Sequence, residues 1–447
     1  MYKILIRPLE HNDSEISWKW RNDEEVWKYT GSRPNISVTP EIEREWINKV
    51  LNQTSSRRFA ITVDDKYVGN IQLTNITSEN AEYHIFIGDK DYWGKGIGLS
   101  ATQQIIRFAK NVLKLKQIYL YVKKENENAV KLYQRCGFVQ VSNDIKMILD
   151  LNYTNPPQVS VFCMVYNHEP FLEQCLEGFL MQKCLFDFEI VVGEDCSKDK
   201  SREILLKYQS KFPGKFNLLL HNQNVGAFNN QNIVLSNCTG KYIAMCEGDD
   251  YWTDPLKLQK QVDFLEENGG YVACFTNAKI INEIDNIQSV FVNGLNEGKV
   301  NDSVIGISGG ALYPTCSLLF RMSNFKAKLF LDIPELAGDD LLILSLAQQG
   351  SVFFLNYETC VYRRQPSGVF SSISKIDLEL VKVKKKNIVG YSKLVKRRDF
   401  QKFKKELKRK ISLEKLFILK YDNSFNKFQY FFSMHYKELI KYCLGKN

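Results

Sequence analysis

Along the first 153 residues, apolar and polar positions alternate between two periods. Ile4-Leu5-Ile6 and Phe59-Ala60-Ile61-Thr62-Val63 are short apolar runs that predict strands, and residues 67–73 predict another after the Asp64-Asp65 turn. Residues 81–87 alternate. A glycine-rich turn follows, and helical spacing takes over from about 98 to 113. Residues 118–122 predict a strand, 128–136 a helix and 147–151 a closing strand. Residues 154–157 contain Pro156-Pro157 and predict a linker, because consecutive prolines can continue neither helix nor sheet.

Beyond the linker the rhythm is a regular strand–helix alternation. Strands are predicted at 159–165, 188–192, 216–220 and 241–245, and helices at 171–181, 200–208, 227–235 and 341–348. Such alternation predicts an α/β fold with a mostly parallel sheet and helices on both faces. Sites in such sheets lie at the carboxyl ends of the strands, and the polar clusters of this chain fall there. No internal repeat or low-complexity tract interrupts the pattern.

Composition narrows the class. A chain of 447 residues is too long for one ordinary core, so two domains plus an appendage are expected. Apolar residues at 44% and charged residues at 25% fit a soluble globular protein. Eleven cysteines lie singly, several inside apolar runs, which predicts reduced thiols and a cytoplasmic setting. The start, MYKILIRPLE, reads as a strand rather than a secretory signal, and no run of 18 apolar residues predicts a membrane span. The net charge of +9 is uneven: Lys375 onward carries 21 Lys+Arg against 7 Asp+Glu, while residues 1–374 carry 39 against 44. Residues 373–447 therefore predict a basic helical extension. It could be a solvated charged face, or it could hold the protein peripherally at an anionic membrane. No recognition module accompanies the charge, so nucleic acid is not expected as a partner.

Two motif sets carry chemistry. Trp93-Gly94-Lys95-Gly96-Ile97-Gly98 follows a strand and opens a helix; its glycines let successive N–H groups face one point, where the helix N-terminus adds positive potential suited to a pyrophosphate. About 30 residues on stands Asn128-Ala129-x-x-Leu132-Tyr133-x-x-x-Gly137-Phe138. Together these resemble the GNAT N-acetyltransferase superfamily over residues 1–153. The resemblance implies an α+β fold with a mixed sheet and acetyl-CoA as cofactor. It also implies that residues 93–98 bind the CoA pyrophosphate, that Asn128 contacts the cofactor, and that Tyr133 protonates the departing thiolate. Trp93 departs from the Gln or Arg common at its position. The general base is fixed by no motif; Glu82 and His84, before the turn, are both candidates by position. Trp18-Lys19-Trp20-Arg21-Asn22 is similar to enzymes that acetylate ribosomal-protein N-termini or the amino group of nucleotide-linked sugars.

The second set centres on Cys246-Glu247-Gly248-Asp249-Asp250-Tyr251-Trp252. Three carboxylates within four residues repel one another unless a cation sits among them, and hard oxygens suit Mg²⁺ or Mn²⁺. Around it stand Val165-Tyr166-Asn167-x-Glu169, Glu194-Asp195-Cys196-Ser197-x-Asp199 and Asn224-Val225-Gly226. The set resembles family 2 glycosyltransferases of the GT-A type over residues 158–372. The resemblance implies a nucleotide-sugar donor, a UDP-sugar above all, and a saccharide or lipid-linked acceptor. It implies that Val165, Tyr166, Asn167, Glu169, Asp195, Ser197, Asn224 and Gly226 line the donor site, and that Glu247, Asp249 and Asp250 hold the metal diphosphate. Cys196 stands where relatives have glycine. Tyr362-Arg363-Arg364-Gln365-Pro366-Ser367-Gly368 resembles a Tyr-Arg-x-His segment in which Gln365 replaces the histidine, leaving Arg363 as a donor contact. Gly338-Asp339-Asp340 resembles the family's Glu-Asp pair, with Asp339 capping the helix and binding substrate and Asp340 taking the acceptor proton in an inverting displacement. The expectation is a bifunctional enzyme of surface-glycan biosynthesis. The alternatives are an N-terminal half that acetylates a protein amine, or a degenerate scaffold beside an active transferase.

Overall fold

The apolar runs of the first 153 residues become β1 (Ile4–Pro8), β2 (Arg57–Val63), β3 (Lys66–Thr74), β4 (Asn80–Ile87), β5 (Gln117–Tyr121), β6 (Val139–Gln140) and β7 (Lys146–Asp150). They join in the order β1-β2-β3-β4-β5-β7-β6, antiparallel except for the parallel pair β4–β5. Asp64 and Asp65 both have positive φ, 46° and 67°, the backbone a tight two-residue hairpin requires. The helices of this region are α1 (Ser14–Arg21), α2 (Glu24–Trp27), α3 (Pro40–Leu51), α4 (Ile97–Arg107) and α5 (Glu127–Arg135). Period-2 alternation divides the sheet's side chains. Phe59, Ile61, Ile71 and Tyr83 pack with Ile97, Ala101 and Ile105 of α4 on one face. Ala60 and Tyr67 meet Trp20 and Ile47 of α1 and α3 on the other. The predicted helix to 113 gives way after Arg107 to one wide π-type turn, where the Leu113 amide reaches back to the Phe108 carbonyl at 3.1 Å.

In the computed structural model the described residues are 2–29, 36–141, 146–153, 156–282, 288–336, 338–364 and 378–421. They form two compact units, Met1–Val262 and Asp263–Asn447. The first unit also holds β8 (Val159–Val165), α6 (Glu169–Leu180), β9 (Phe188–Glu194), α7 (Ser201–Lys211), β10 (Phe216–Leu220), α8 (Ala227–Asn237), β11 (Tyr242–Met245) and the short β12 (Tyr251–Trp252). Strands β10-β9-β8-β11 are all parallel, as the strand–helix alternation predicts. They read as continuous apolar runs because helices cover both faces. Within this unit Arg107, at the end of α4, donates to the Gly214 carbonyl at 2.7 Å and pairs bidentately with Asp187. A Cβ at Gly214 would lie 1.8 Å from the Gln104 carbonyl oxygen, so only glycine permits this approach.

The chain passes into the second unit within α9 (Lys257–Glu267). There β13 (Tyr271–Asn282) pairs antiparallel with β14 (Gln288–Val290). The unit continues with β15 (Gly298–Lys299), α10 (Asp302–Ser308), β16 (Leu319–Arg321), α11 (Ala327–Asp332), α12 (Gly338–Gln349) and β17 (Ser351–Arg364). The long β13 and β17 run parallel. Leu341 to Ala347 of α12 are buried without a break, as in a helix enclosed on all sides. The helices α13 (Leu378–Lys396) and α14 (Lys404–Tyr421) complete the described chain. Ion pairs Lys402–Asp302 (2.8 Å) and Arg397–Asp332 (3.2 Å) fasten the connector between them to α10 and α11. Among the described residues no helix is long and apolar enough to cross a membrane.

Candidate functional sites

In the seven-stranded sheet, β4 pairs with β5 only over Asn80–Glu82 against Gln117–Tyr119; beyond that the two strands part. The turn at 93–98 follows this opening. Gly94 and Gly96 have φ of 73° and 78°, a left-handed conformation open to glycine, and a Cβ at either would meet nothing within 4 Å. Gly98 differs: its added Cβ would lie 2.9 Å from Leu132, so this glycine lets α4 lie against α5. Trp93 is exposed and its indole N–H donates to the Ile87 carbonyl at 2.8 Å. Lys95 lies over the ring of Tyr92 and Ile97 is buried. Asn128 is exposed in the first turn of α5, which Asn126 caps through the Ala129 amide. Tyr133 sits in the core beside Tyr83 and Phe138, and burial pushes its phenol well above the ordinary value, so it carries its proton. Glu82 accepts from Asn75 at 2.8 Å; His84 lies 3.5 Å from Glu82 and 3.0 Å from the Thr74 hydroxyl. Partial burial, helped by Arg58 and opposed by Glu82, holds His84 below its ordinary value, which favours a neutral imidazole.

At the carboxyl edge of the parallel strands, the Cys246 amide donates to Phe162 and the Gly248 amide to Met164, so the acidic turn runs beside the end of β8. Ligand oxygens of Glu247, Asp249 and Asp250 lie within 4.8 Å of one another. That set of hard, clustered oxygens fits Mg²⁺ or Mn²⁺. Asp195, at the end of β9, accepts from the amides of Val225 (2.6 Å) and Gly226 (3.0 Å), and Asn224 donates to its carbonyl at 3.3 Å. The Asn167 amide donates to the Ser197 hydroxyl at 3.0 Å, and Glu169 accepts from Lys200 at 3.0 Å. These bonds tie the ends of β8 and β9 together. Val165 is buried and Tyr166 exposed. Cys196 has φ of 57°, a left-handed backbone that explains why glycine suits this position.

The second unit holds the remaining sequence candidates. Asp339 accepts from the Asp340 amide at 2.9 Å within the first turn of α12. Burial and then the Asp340 charge push its carboxyl up to about 6. Asp340 is surrounded by donors: the Gly310 amide at 2.7 Å, the Lys410 ammonium at 3.0 Å and the Tyr391 hydroxyl. Arg363 lies near the end of β17, in register with Ile281 of β13. Gln365 to Gly368 lie outside the described residues, as do 154–155 of the linker and 373–377 and 422–447 of the extension.

Sequence reasoning passed over several groups. His168 occupies the unassigned position between Asn167 and Glu169. Its Nδ1 is buried with no hydrogen-bond partner among the described residues, and burial lowers its pKa against the pull of Asp249 and Asp199. Arg21 and Arg58 lie over the ring of Trp46 at 4.8 and 5.2 Å. Arg58, Gln72 and His84 are opposite one another across β2, β3 and β4, on one face of the sheet. The WRN segment drew attention to Arg21; only strand register brings Arg58 into the row. In the sequence, Tyr391 and Lys410 belong only to a basic tail.

Residues 3–139 match the acetyltransferase (GNAT) domain and residues 160–325 match glycosyl transferase family 2. Over 141 residues the chain is 30% identical to a spermidine N(1)-acetyltransferase of Vibrio cholerae, covering 31% of this chain and 80% of that protein. It is 32% identical over 216 residues to an uncharacterised protein of Mycobacterium tuberculosis, covering 48% of this chain and 61% of that protein's own length. Among solved structures, Staphylococcus aureus TarS in complex with UDP-GlcNAc superposes with a TM-score of 0.44 at 18% identity, over 57% of this chain and 71% of that one.

Proposed function

Because this chain belongs to the GNAT acetyltransferases through its N-terminal domain and to the family 2 glycosyltransferases through the domain that follows, we propose that it serves surface-glycan assembly with two activities. One is metal-dependent, inverting transfer of a sugar from a nucleotide sugar, a UDP-sugar above all, to a saccharide or lipid-linked acceptor. The other is acetyl-CoA-dependent acetylation of an amine borne by a sugar. The observation that carries the transferase reading is the gathering of Glu247, Asp249 and Asp250 at the same strand edge as Asp195.

In this reading the acceptor hydroxyl oxygen bonds to the anomeric carbon as the bond from that carbon to the diphosphate breaks, and the hydroxyl proton passes to a carboxylate of the α12 pair. A bound divalent cation would offset charge on the departing diphosphate at Glu247, Asp249 and Asp250. Asp195 and its neighbours orient the nucleoside. Of the pair, Asp340 is occupied by three donors, whereas Asp339 has a carboxyl near 6, ionised at neutral pH yet basic enough to accept a proton. The proton-accepting role therefore goes to Asp339, and Asp340 supplies the charge that raises it.

On the acetyltransferase side, bound acetyl-CoA would supply the thioester; residues 93–98 would hold its diphosphate and Asn128 would contact the cofactor. Glu82, with His84 beside it, takes the proton from the attacking amine, and Tyr133 returns one to the thiolate. The face bearing both bases also bears Arg58, with Arg21 close by on Trp46. Guanidinium groups suit a phosphate-bearing acceptor, which favours a nucleotide-linked amino sugar over a polyamine or a peptide N-terminus.

The test offers the purified protein acetyl-CoA with nucleotide-linked amino sugars, spermidine or peptides, and, separately, nucleotide sugars with saccharide acceptors. We expect sugar-amine acetylation that survives EDTA and Asp249→Ala, and sugar transfer that both abolish. Acetylation confined to peptides or spermidine, or full transfer in EDTA, overturns the corresponding half.

A further inference from the structure

Two of the three donors on the Asp340 carboxylate come from the C-terminal helices. We propose that Tyr391 of α13 and Lys410 of α14 position the Asp339–Asp340 pair for sugar transfer, making the C-terminal helices part of the transferase site rather than an appendage to it. The proposal rests on the reading of that pair as the proton-accepting group.

Three observations converge. Lys410 reaches Asp340 at 3.0 Å, Tyr391 donates to its other oxygen, and the Lys410 ammonium lies 4.9 Å above the Tyr391 ring, so the two side chains brace each other. The loop facing them is shaped around this cluster. Gly309 has φ of 58°, and a Cβ there would fall 1.8 Å from the Asp340 carboxylate and 2.5 Å from the Lys410 nitrogen. Gly310, whose amide completes the set on Asp340, would clash through its own Cβ with Asp339 at 2.4 Å. Both glycines therefore clear space for the carboxylate pair. Finally, pairs outside this cluster fix the helices in place: Lys402–Asp302 and Arg397–Asp332 hold their connector to α10 and α11, and Lys393 of α13 pairs with Glu335, while Lys384–Glu414 joins the two helices to each other. Their approach to Asp340 thus follows from a docked hairpin and not from two flexible side chains alone.

The consequence is electrostatic. Burial raises the Asp339 carboxyl, the Asp340 charge raises it further, and Lys410 lowers it. The charged and titratable groups facing the pair are Tyr391 from α13, Lys410 and Glu414 from α14, and Tyr313, whose hydroxyl donates to the Asp339 carbonyl at 3.3 Å; Asp302 of α10 is engaged by Lys402. Removing Lys410 leaves Asp340 unopposed and pushes Asp339 up, so transfer would need a higher pH. Removing the Asp340 charge lets Asp339 fall, so transfer would persist to lower pH.

The experiment measures kcat and KM for sugar transfer against pH in full-length protein, with acetylation by the same sample as the control for folding. Expected for Lys410→Met is a kcat about tenfold lower with donor KM nearly unchanged, the scale for losing a hydrogen bond to a charged group, and an acid limb moved to higher pH. Lys410→Arg should recover most of the loss, Tyr391→Phe should show a smaller fall, and Asp340→Asn should move the limb to lower pH. Unchanged profiles in Lys410→Met and Tyr391→Phe, while Asp339→Asn abolishes transfer, overturn the proposal alone. Transfer retained in Asp339→Asn overturns both the proposal and the reading it rests on.

Discussion

Arg107→Ala is the substitution whose cost follows most directly from the structure. Arg107 is 11% exposed and Asp187 4%, and their bidentate pair joins the end of α4 to the start of β9. Breaking a buried pair by removing one partner costs about 3–5 kcal/mol, because the remaining charge stays desolvated. Here Lys215, 4.0 Å from Asp187, partly compensates, while the Gly214 carbonyl loses its donor. These opposing corrections leave about 3 kcal/mol. The first unit has 262 residues, and an unfolding entropy of about 2.1 cal/mol/K per residue converts that cost to a fall of about 5 °C in its melting temperature. The assay is thermal unfolding of full-length protein by circular dichroism, with Lys207→Ala as control. Lys207 pairs with Glu173 in the open at 3.0 Å, where little stability is at stake. In Arg107→Ala/Asp187→Asn the stranded carboxylate charge is gone and the buried Lys215, already pushed down to about 8, can release its proton, so part of the loss should return. A shift of under about 1 °C in Arg107→Ala, or a double variant that loses the full sum of both single changes, refutes the reasoning.

Lys215, buried beside Asp187 and Arg107, has its ammonium pushed down to about 8, chiefly by burial. Below that pH folded and unfolded chains both hold the proton and the burial cost is felt in full. Between about 8 and 10.5 the folded chain releases it first, so stability should climb with pH, and denaturant titrations of Lys215→Met should lack that climb. Gly96→Ala places a side chain at φ of 78°, a left-handed cost of about 1–2 kcal/mol, and acetyl-CoA affinity by calorimetry should fall about tenfold without loss of the global fold. If the extension meets anionic membrane, vesicle binding should require anionic lipid and fade with salt, and equal binding by protein ending at residue 374 would sink that idea.

Much of the fold was legible in the sequence because period and punctuation are local. The predicted strand at 159–165 coincides with β8, and that at 216–220 with β10. Gly94, Gly96 and Cys196 stood out in sequence as special backbone positions, and each has positive φ. The acidic block needed no tertiary information either, since three carboxylates in four residues share a location whatever the fold. Other features were invisible for an equally physical reason. The Trp18–Asn22 segment lies at the end of α1, yet the apolar pattern of residues 14–51 predicted none of the helices α1 to α3. The row Arg58, Gln72, His84 exists only once β2, β3 and β4 are in register, because a shift of one residue would turn Arg58 into the core. His168 looks like any loop residue until Gly248 closes over it, with room for no Cβ beside its ring nitrogen. Tyr391 and Lys410 stand 51 and 70 residues from Asp340 along the chain, in a segment whose composition says only that it is basic. Local sequence determined which residue types were available and which faces of the elements they occupied. The chain's path through space decided which charge met Asp340, and through it the basicity of Asp339, since electrostatic and hydrogen-bond energies depend on distance and burial rather than on sequence separation.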